Sequence, residues 1–505
     1  MTIWQQQELV YSQEPEKWHD PMLLKGMEAS VRLFKKNIMN TIAIYADKDT
    51  DGMSAGSILA HILQDIGVQP VVYVPERDEG YGIQAKHVDL FYQQQVQLII
   101  TVDNGSNAFQ AMKLAYELGM DMIITDHHII QTGERYDFPM INPHQGSYPC
   151  ENLCGGVVAL KFGQVLLQEF GFPENWWKRY LDIAAVATIG DVMPLIGENR
   201  WIVKEGLKKL NSNPNVAFSQ VIEKNNYVKK GELDEKTLGW TLAPLLASTG
   251  RVSSPTLGYN FLMNEDKDNF KEFNDVKECN DRKMKVISEE AIQHIEVNLF
   301  NLGYSIVSDF PQGVLGLLAN RFAEKFNRPY IVIQRDKNDN YVGSSRSRGG
   351  FDLYAWLMSL PELYFEARGG HTGACGFTIY EEFLDDFVSA IKKAELDVLN
   401  DIFIYHHLLT LKQIDDALIA LVESNKPYGH DYPAPIFRVD KLTVESPRKF
   451  GDKFYVTLWE ENSSFSFVFP KTYDRKIQVV DVLFELERSN KGDIRGKVVD
   501  WRKSE

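Results

Sequence analysis

The sequence predicts an α/β protein with a parallel-sheet domain, a long connecting helix, a smaller α/β domain and a C-terminal β-barrel. Short runs rich in Ile and Val alternate with helical patterns over residues 41–189. This alternation is typical of a parallel sheet covered by helices. A charged stretch with helical spacing occupies residues 271–302, and β-type runs dominate residues 442–501. These three observations set the order of the predicted domains.

The parallel sheet is predicted from short apolar runs between helical patterns. The runs lie at Thr41–Ala46, Pro70–Val74, Leu98–Val102, Met122–Thr125 and Met140–Asn142. The helical patterns lie at Ser54–Ile66, Gln84–Gln94, Asn107–Leu118, Val157–Phe170 and Trp176–Ile189. Apolar runs of this length are typical of strands that are buried on both faces, so we expect a doubly wound sheet.

The rest of the chain is predicted to contain the connecting helix, a second α/β unit and the barrel. The apolar residues of Lys271–Leu302 recur at helical spacing. In the second unit, strands are expected at Gly313–Leu317, Tyr330–Gln334 and Tyr341–Ser345, and Asp385–Asn425 is expected to be helical. A small antiparallel barrel is predicted from the runs Leu442–Val444, Lys453–Trp459, Ser464–Phe469, Ile477–Glu487 and Gly496–Trp501.

Composition excludes several classes of protein. Of the 505 residues, 44% are hydrophobic and 25% are charged, which is typical of a folded globular protein. No apolar run approaches the roughly 18 residues of a membrane span, and the N-terminus lacks the pattern of a secretory signal. Four cysteines do not make a disulfide scaffold, and we expect Cys150 and Cys154 to be free thiols. We therefore expect a cytoplasmic protein without a membrane partner.

The charge distribution contains features that argue both against and for nucleic-acid binding. The 54 basic and 70 acidic side chains give a net charge of −16, which argues weakly against binding through bulk charge. Residues 321–348, however, contain seven Lys and Arg residues and only three acidic ones. This basic segment is either a solvated face or a local binding surface.

Carboxylates and imidazoles follow three of the predicted strands. The first strand is followed by Asp47, Asp49 and Asp51, the third by Asp103, and the fourth by Asp126, His127 and His128. The carboxyl ends of parallel strands meet at one edge of a sheet, where ligands bind. A single aspartate there is usually a helix N-cap, but three strands that end in this way favour a site for two divalent ions. Oxygen ligands favour Mg²⁺ or Mn²⁺, and the added imidazole shifts the preference towards Mn²⁺.

Two features of this pattern have alternative interpretations. The segment Asp47-Lys-Asp49-Thr-Asp51-Gly52 copies the start of an EF-hand loop. Ile58 occupies the position where that loop needs a bidentate Glu, and a strand precedes the segment, so calcium of this type is not expected. Asp191, at the end of a predicted helix, is either a solvated acid or a further site residue.

These motifs resemble, in order, those of the DHH phosphoesterase superfamily, and within it the RecJ single-strand-specific exonucleases. The matching segments are Asp47–Gly52, Val102–Gly105, Thr125–His128, Gly190–Leu195, Ile141–His144, Leu153–Val157, Ser248–Arg251, Gly343–Ser347, Gly369–His371 and Lys426–Phe437. The resemblance implies an N-terminal extension (1–39), a DHH catalytic domain (40–265), a connecting helix (266–303), a DHHA1 phosphate-binding domain (304–395), a helical linker (396–432) and an OB-type barrel (433–505). The sequence departs from the family pattern at Asn104 and at Ala247, Ser248 and Thr249. The replacements at 247–249 put local loop contacts in doubt.

The resemblance also implies an activity. A protein of this kind hydrolyses single-stranded DNA from the 5′ end with Mn²⁺ or Mg²⁺, releases mononucleotides, and acts in DNA repair, recombination or replication. The implied metal ligands are Asp49, Asp51, Asp103, His127 and Asp191. Asp47, Asp126 and His128 are implied as catalytic or supporting residues. The implied phosphate contacts are Arg251, Ser344, Arg346, Gly370 and His371, and we expect the substrate to bind between the catalytic and phosphate-binding domains.

Other functions remain open at this point. A DHH-type phosphodiesterase that acts on short oligoribonucleotides or cyclic dinucleotides would use the same residues. A non-catalytic RecJ-like replication scaffold would be expected to lose motif acids. The resemblance implies a monomer, with a single-strand-binding protein or a helicase as candidate partners.

Overall fold

The alternating patterns of the sequence form strands and helices in a computed structural model. It describes residues 3–504 except 77–78, 134–135, 225–230, 253, 264–274, 276–277, 279–281, 283–294, 309, 327, 338, 349–350, 372, 396–401, 452, 471–476 and 490–492. The chain divides into two units. The large unit contains Glu8–Gly250, Ser254–Asp275 and Tyr405–Glu505, and the small unit contains Met1–Gln7, Arg251–Ser253 and Val276–Ile404.

The predicted parallel sheet is confirmed. The first elements are β1 (Ile3–Gln6), α1 (Met27–Asn37), β2 (Ile42–Ala46), α2 (Thr50–Asp65), β3 (Val71–Tyr73), α3 (Ala85–Gln93), β4 (Leu98–Val102), α4 (Phe109–Glu117), β5 (Asp121–Thr125) and β6 (Met140–Ile141). The described strands are ordered β3-β2-β4-β5-β6, and all neighbours are parallel. Every residue of β2 and β4 is buried, because apolar cores cover both faces of the sheet. The order reverses between β2 and β4, so a crevice lies at their carboxyl ends.

Further helices complete the α/β part of the large unit. They are α5 (Gly155–Glu169), α6 (Leu181–Gly190), α7 (Gly197–Ser212), α8 (Val216–Lys224), α9 (Glu235–Thr237), α10 (Ala243–Val252) and α11 (Thr256–Met263). Ser248 and Thr249, which replace residues of the family signature, lie in α10 rather than in a loop. Their hydroxyl groups donate to the carbonyl oxygens of Leu245 and Leu246, each at 2.7 Å.

The small unit contains a mixed sheet. Its elements are β7 (Gly303–Val307), α12 (Gln312–Phe326), β8 (Tyr330–Arg335), β9 (Tyr341–Arg346), α13 (Leu353–Ser359), β10 (Phe365–His371), β11 (Ala374–Ile379), α14 (Leu384–Lys393) and β12 (Ile402–Tyr405). The described strands are ordered β10-β11-β9-β8-β7, and β12 pairs with β1. The strand predicted at Gly313–Leu317 is wrong. This run lies in α12, whose buried residues Val314, Leu318 and Phe322 recur every four positions on one helix face.

Two further predictions of helical structure need correction. The region Asp385–Asn425 is helical only in part, because it also contains β12 and a short strand, β13 (His407–Leu408). Most of the predicted connecting helix lies outside the described residues. Its described end, from Ile295 to Leu302, is irregular, and Asn298 forms an isolated bridge with Tyr304.

The C-terminal barrel is confirmed. After α15 (Asp416–Ser424) come β14 (Phe437–Phe450), β15 (Lys453–Glu460), β16 (Ser463–Phe469), β17 (Val479–Arg488) and β18 (Ile494–Lys503). They are ordered β14-β15-β16-β18-β17, and the pairing of β14 with β17 closes the barrel, as in an OB fold. Its core contains Val439, Leu458, Phe467 and Phe484. Among the described residues, no helix is both long and apolar enough to cross a membrane.

The segment before the barrel is anchored to α7 of the same unit. The Arg200 guanidinium is buried, donates to the carbonyl oxygens of Pro427 and Asn425, and lies 3.6 Å from the centre of the Tyr432 ring. The N–H of Leu195 donates to the carbonyl oxygen of His430 at 2.7 Å. The barrel is therefore joined to the part of the unit that follows α6.

Candidate metal centre

The turn after β2 places acidic side chains at the crevice. Asp47 is buried, whereas Asp49 faces solvent and caps α2 by accepting from the N–H of Gly52 at 2.9 Å. A side chain at Gly52 would lie 2.5 Å from the carbonyl carbon of Asp47, so this tight turn requires glycine. Asp51 follows on the first turn of α2 and is 1% exposed.

Asp103 follows β4 and faces this turn. It is 1% exposed and has a φ of 62°, a left-handed conformation that is uncommon for residues other than glycine. Its Oδ1 lies 3.0 Å from Nε2 of His127, which follows β5. The same Nε2 lies 3.7 Å from Oδ2 of Asp51 and 3.6 Å from Oδ2 of Asp191. Four segments of the chain therefore converge on one point.

The neighbouring pair Asp126 and His128 is held by hydrogen bonds. Asp126 accepts from the N–H groups of Ser106 and His127 at 2.9 and 2.7 Å, and its Oδ1 lies 2.8 Å from Nδ1 of His128. Burial alone would raise the pKa of Asp126, but the hydrogen bond and charge of His128 outweigh it and lower that pKa. Burial opposes protonation of His128, yet Asp126 raises the pKa of His128 to about 9. Asp126 therefore orients His128 and favours its charged form.

The local sequence pattern left the role of Asp191 open, although the family motif implied a metal ligand, and the structure brings this residue to the centre. It ends α6, and Val192 after it has a φ of 55°, which is strained for a β-branched residue. Oδ2 of Asp191 accepts no hydrogen bond from the described residues. This carboxylate is therefore held beside His127 by the end of a buried helix.

The ligand atoms form two groups that meet where Asp103 faces His127. One group contains Asp47, Asp49 and Asp103, and the other contains Asp51, His127 and Asp191; the atoms of each lie within 4.8 Å of one another. Asp103 also forms a group with His127 and His128. Two adjacent sets of oxygen and nitrogen ligands are an arrangement that suits a two-metal site.

Electrostatics also fit a pair of cations. One carboxylate oxygen each of Asp47, Asp103 and Asp191 is buried and accepts no hydrogen bond from the described residues. Burial, helped by neighbouring carboxylates, raises the pKa of Asp47 to about 7 and that of Asp191 to about 9. Burial and the charges of Asp51 and Asp49 likewise raise the pKa of Asp103. Divalent ions would satisfy these oxygens and remove the repulsion.

The predicted phosphate contacts are described only in part. Ser344 and Arg346 lie on β9, and Nη1 of Arg346 lies 2.8 Å from the carbonyl oxygen of Ser345. A side chain at Gly316 would lie 3.1 Å from Nη2 of Arg346 and 3.2 Å from Oγ of Ser344, so α12 approaches both residues closely. These contacts are all within the protein, so the phosphate-binding role of Ser344 and Arg346 stays a prediction.

The other predicted phosphate contacts lie on strand and helix ends. His371 ends β10 and pairs with Ala374 on β11, so it belongs to a strand rather than to a loop. Gly370 precedes it with a φ of 139°. Arg251 lies in α10. The side chains of Arg251 and His371 lie outside what the structure describes.

Tyr81 is a site residue that the sequence reasoning missed. Its hydroxyl lies 2.9 Å from Nε2 of His128, and the two rings make an edge contact. The signal was present, because Gly80-Tyr81-Gly82 follows β3, a strand of the same parallel sheet. Residues after β3 reach the same edge as the acidic motifs.

Comparisons with known proteins agree with this geometry. The N-terminal domain model of the DHH family matches residues 41–188, and the DHHA1 domain model matches residues 300–395. The single-stranded-DNA-specific exonuclease RecJ of Bacillus subtilis is 31% identical over 469 residues, which cover 88% of this chain and 58% of that protein. The chain thus contains segments that match the DHH and DHHA1 domain models, and it is similar in sequence to RecJ.

Other RecJ proteins match over similar lengths. RecJ of Haemophilus influenzae is 26% identical, over 83% of this chain and 78% of that protein. The crystal structure of Thermus thermophilus RecJ in complex with Mn²⁺ superposes with a TM-score of 0.80 at 22% identity, and covers 96% of this chain and 73% of that one. This chain thus shares the RecJ fold, and it spans little more than half the length of the Bacillus subtilis protein.

Proposed function

We propose that this RecJ-like chain is a metal-dependent exonuclease that hydrolyses single-stranded DNA from its 5′ end and releases mononucleotides. The observation that carries the proposal is the pair of neighbouring ligand groups, which meet where Asp103 lies 3.0 Å from His127. Its relatives named RecJ are single-stranded-DNA-specific exonucleases, and they match most of this chain. We place the activity in DNA repair, recombination or replication, in the cytoplasm.

The chain supplies ligands for two ions, Mn²⁺ or Mg²⁺. Asp47, Asp49 and Asp103 would hold the first, and Asp51, His127 and Asp191 would hold the second. Bound divalent ions lower the pKa of water and neutralise charge on phosphate oxygens. The mixed oxygen and imidazole donors suit Mn²⁺ better than Mg²⁺.

Other residues orient the substrate in this proposal. The imidazolium of His128, held by Asp126 and contacted by Tyr81, can donate a hydrogen bond to a phosphate oxygen. The guanidinium of Arg346 can grip a phosphate with two parallel hydrogen bonds. Arg251, Ser344, Gly370 and His371 are further candidate contacts, assigned from the family motifs alone.

The proposal is tested by substrate choice and by metal removal. The full chain should degrade single-stranded DNA with Mn²⁺, stop when a chelator is added, and recover when Mn²⁺ is restored in excess. Blunt duplex DNA should resist, because it is wider than a single strand. A preference for short oligoribonucleotides or cyclic dinucleotides over single-stranded DNA would instead support the other DHH-type activity. Undiminished activity in excess chelator would contradict the metal mechanism.

The barrel is expected to hold the strand rather than to take part in the chemistry. Its first hairpin exposes Phe450, Tyr455 and Trp459, and Tyr455 pairs in register with Arg448. Exposed aromatic rings beside basic residues are typical of single-strand binding, and each stacked base contributes about 1–3 kcal/mol.

We therefore expect Tyr455→Ala to raise the KM for a strand of about 30 nucleotides by roughly tenfold. The KM for a trinucleotide should not change, because it is too short to reach both the metal centre and the first hairpin of the barrel. Tyr92→Ala is the matched control, because Tyr92 is an exposed tyrosine at the surface of α3. An equal rise in KM for both lengths would assign the hairpin another role.

Replacing Arg448 with Gln should make the affinity for single-stranded DNA less dependent on salt concentration, since fewer counterions are released on binding.

A further inference from the structure

The first turn of α5 lies directly against the carboxylates of the metal centre. The N–H of Gly155 donates to Oδ2 of Asp51 at 2.6 Å, and the N–H of Gly156 donates to Oδ1 of Asp51 at 2.8 Å. The first N–H groups of a helix have no acceptor within the helix, and the N-terminus of a helix carries partial positive charge. The turn therefore binds the Asp51 carboxylate through both of its oxygens.

Neither glycine has room for a side chain. A Cβ at Gly155 would lie 2.5 Å from Cβ and 2.8 Å from Cα of Asp103. A Cβ at Gly156 would lie 3.1 Å from Oδ1 of Asp51 and 2.8 Å from Cβ of Ala187. Carbon atoms in contact are normally about 3.5–4.0 Å apart. Any larger residue would therefore displace the acids or the helix that carries them.

We propose that Gly155 and Gly156 are positioning residues for the second metal group, Asp51, His127 and Asp191. The inference rests on the proposed function and adds a backbone turn that contributes no ligand. An ionised carboxylate has about four lone-pair sites, so Asp51 keeps acceptor capacity for an ion after the two N–H bonds. Because the bonds reach different oxygens, they fix the rotation of the carboxylate. The affinity of the second ion then depends on the close approach of α5.

The test is a calorimetric titration of the full-length, metal-free protein with Mn²⁺. We expect the wild type to bind two ions, and Gly156→Ala to bind the second ion at least tenfold more weakly. Gly163→Ala is the matched control, because this position lies on the same helix and the three atoms nearest to its added Cβ all belong to the Ile62 side chain rather than to a metal-centre residue. The control should bind both ions as the wild type does.

A second variant separates loss of positioning from loss of folding. In Gly156→Ala/Ala187→Gly, the contact with the Ala187 methyl group is removed and the 3.1 Å contact with Asp51 remains. In the presence of chelator, the melting temperature of this double variant should match that of the wild type. Its affinity for the second Mn²⁺ ion should remain lower than that of the wild type. Two ions bound with wild-type affinity by a folded Gly156→Ala protein would overturn the positioning role. A wild type that binds no Mn²⁺ would instead overturn the proposed metal-dependent function.

Discussion

The Asp103→Asn variant is expected to lose cleavage of single-stranded DNA almost completely. Asp103 belongs to the first ligand group, and its Oδ1 lies 3.0 Å from Nε2 of His127 in the second, so its replacement by a neutral amide weakens the first ion site and disturbs the second. We expect kcat to fall at least about a thousandfold, which corresponds to about 4 kcal/mol of lost transition-state stabilisation. Mn²⁺ binding should fall in the same titrations.

Folding of this variant should be preserved. Burial and neighbouring carboxylates raise the pKa of Asp103, which means that its negative charge is unfavourable when no cation is bound. The melting temperature of the metal-free variant should therefore equal or exceed that of the wild type. The control Asp89→Asn removes the same charge from an exposed position on α3 and should keep full activity. Wild-type kcat in Asp103→Asn would contradict the assignment of Asp103 as a metal ligand.

The second large effect is expected for Arg346→Lys. Lysine keeps the positive charge but loses the planar fork that grips a phosphate with two hydrogen bonds. One lost charge-assisted hydrogen bond costs about 1.5–3 kcal/mol, so kcat/KM should fall by roughly 10- to 150-fold.

Arg335→Lys provides the control for this change. Arg335 ends the neighbouring strand β8, is exposed and pairs with Glu381 and Asp339 on the surface. Its replacement should leave kcat/KM unchanged. If Arg346→Lys retained wild-type kcat/KM, Arg346 would be a general electrostatic contact rather than a phosphate clamp.

The sequence predicted the acidic edge well because few physical rules decide it. Buried Ile and Val runs specify parallel strands, and parallel strands place Asp47, Asp103 and His127 at one edge. Asp191 could not be placed in this way. Its position depends on how α6 packs against α2 and α5, and no local pattern encodes that packing.

The errors in the small unit have a similar origin. The run Gly313–Leu317 is too short to distinguish a strand from a helix, and only the recurrence through Phe322 shows the helical face. Tyr81 was not predicted because only acidic and imidazole side chains after strands served as indicators of a metal site. The hydroxyl of Tyr81, which follows β3, reaches the same edge of the sheet. The phosphate contacts were inferred from family motifs, and their role is decided by a substrate rather than by the fold.

The direction in which a single strand is degraded is the most direct test of the proposed 5′-end exonuclease activity. Single strands labelled at either the 5′ or the 3′ end are incubated with the full chain and Mn²⁺, and the products are followed with time. We expect immediate release of the 5′ label as a mononucleotide, while the 3′ label stays on progressively shorter strands. Early release of the 3′ label, or cleavage within the strand before either label is released, would contradict the proposed activity.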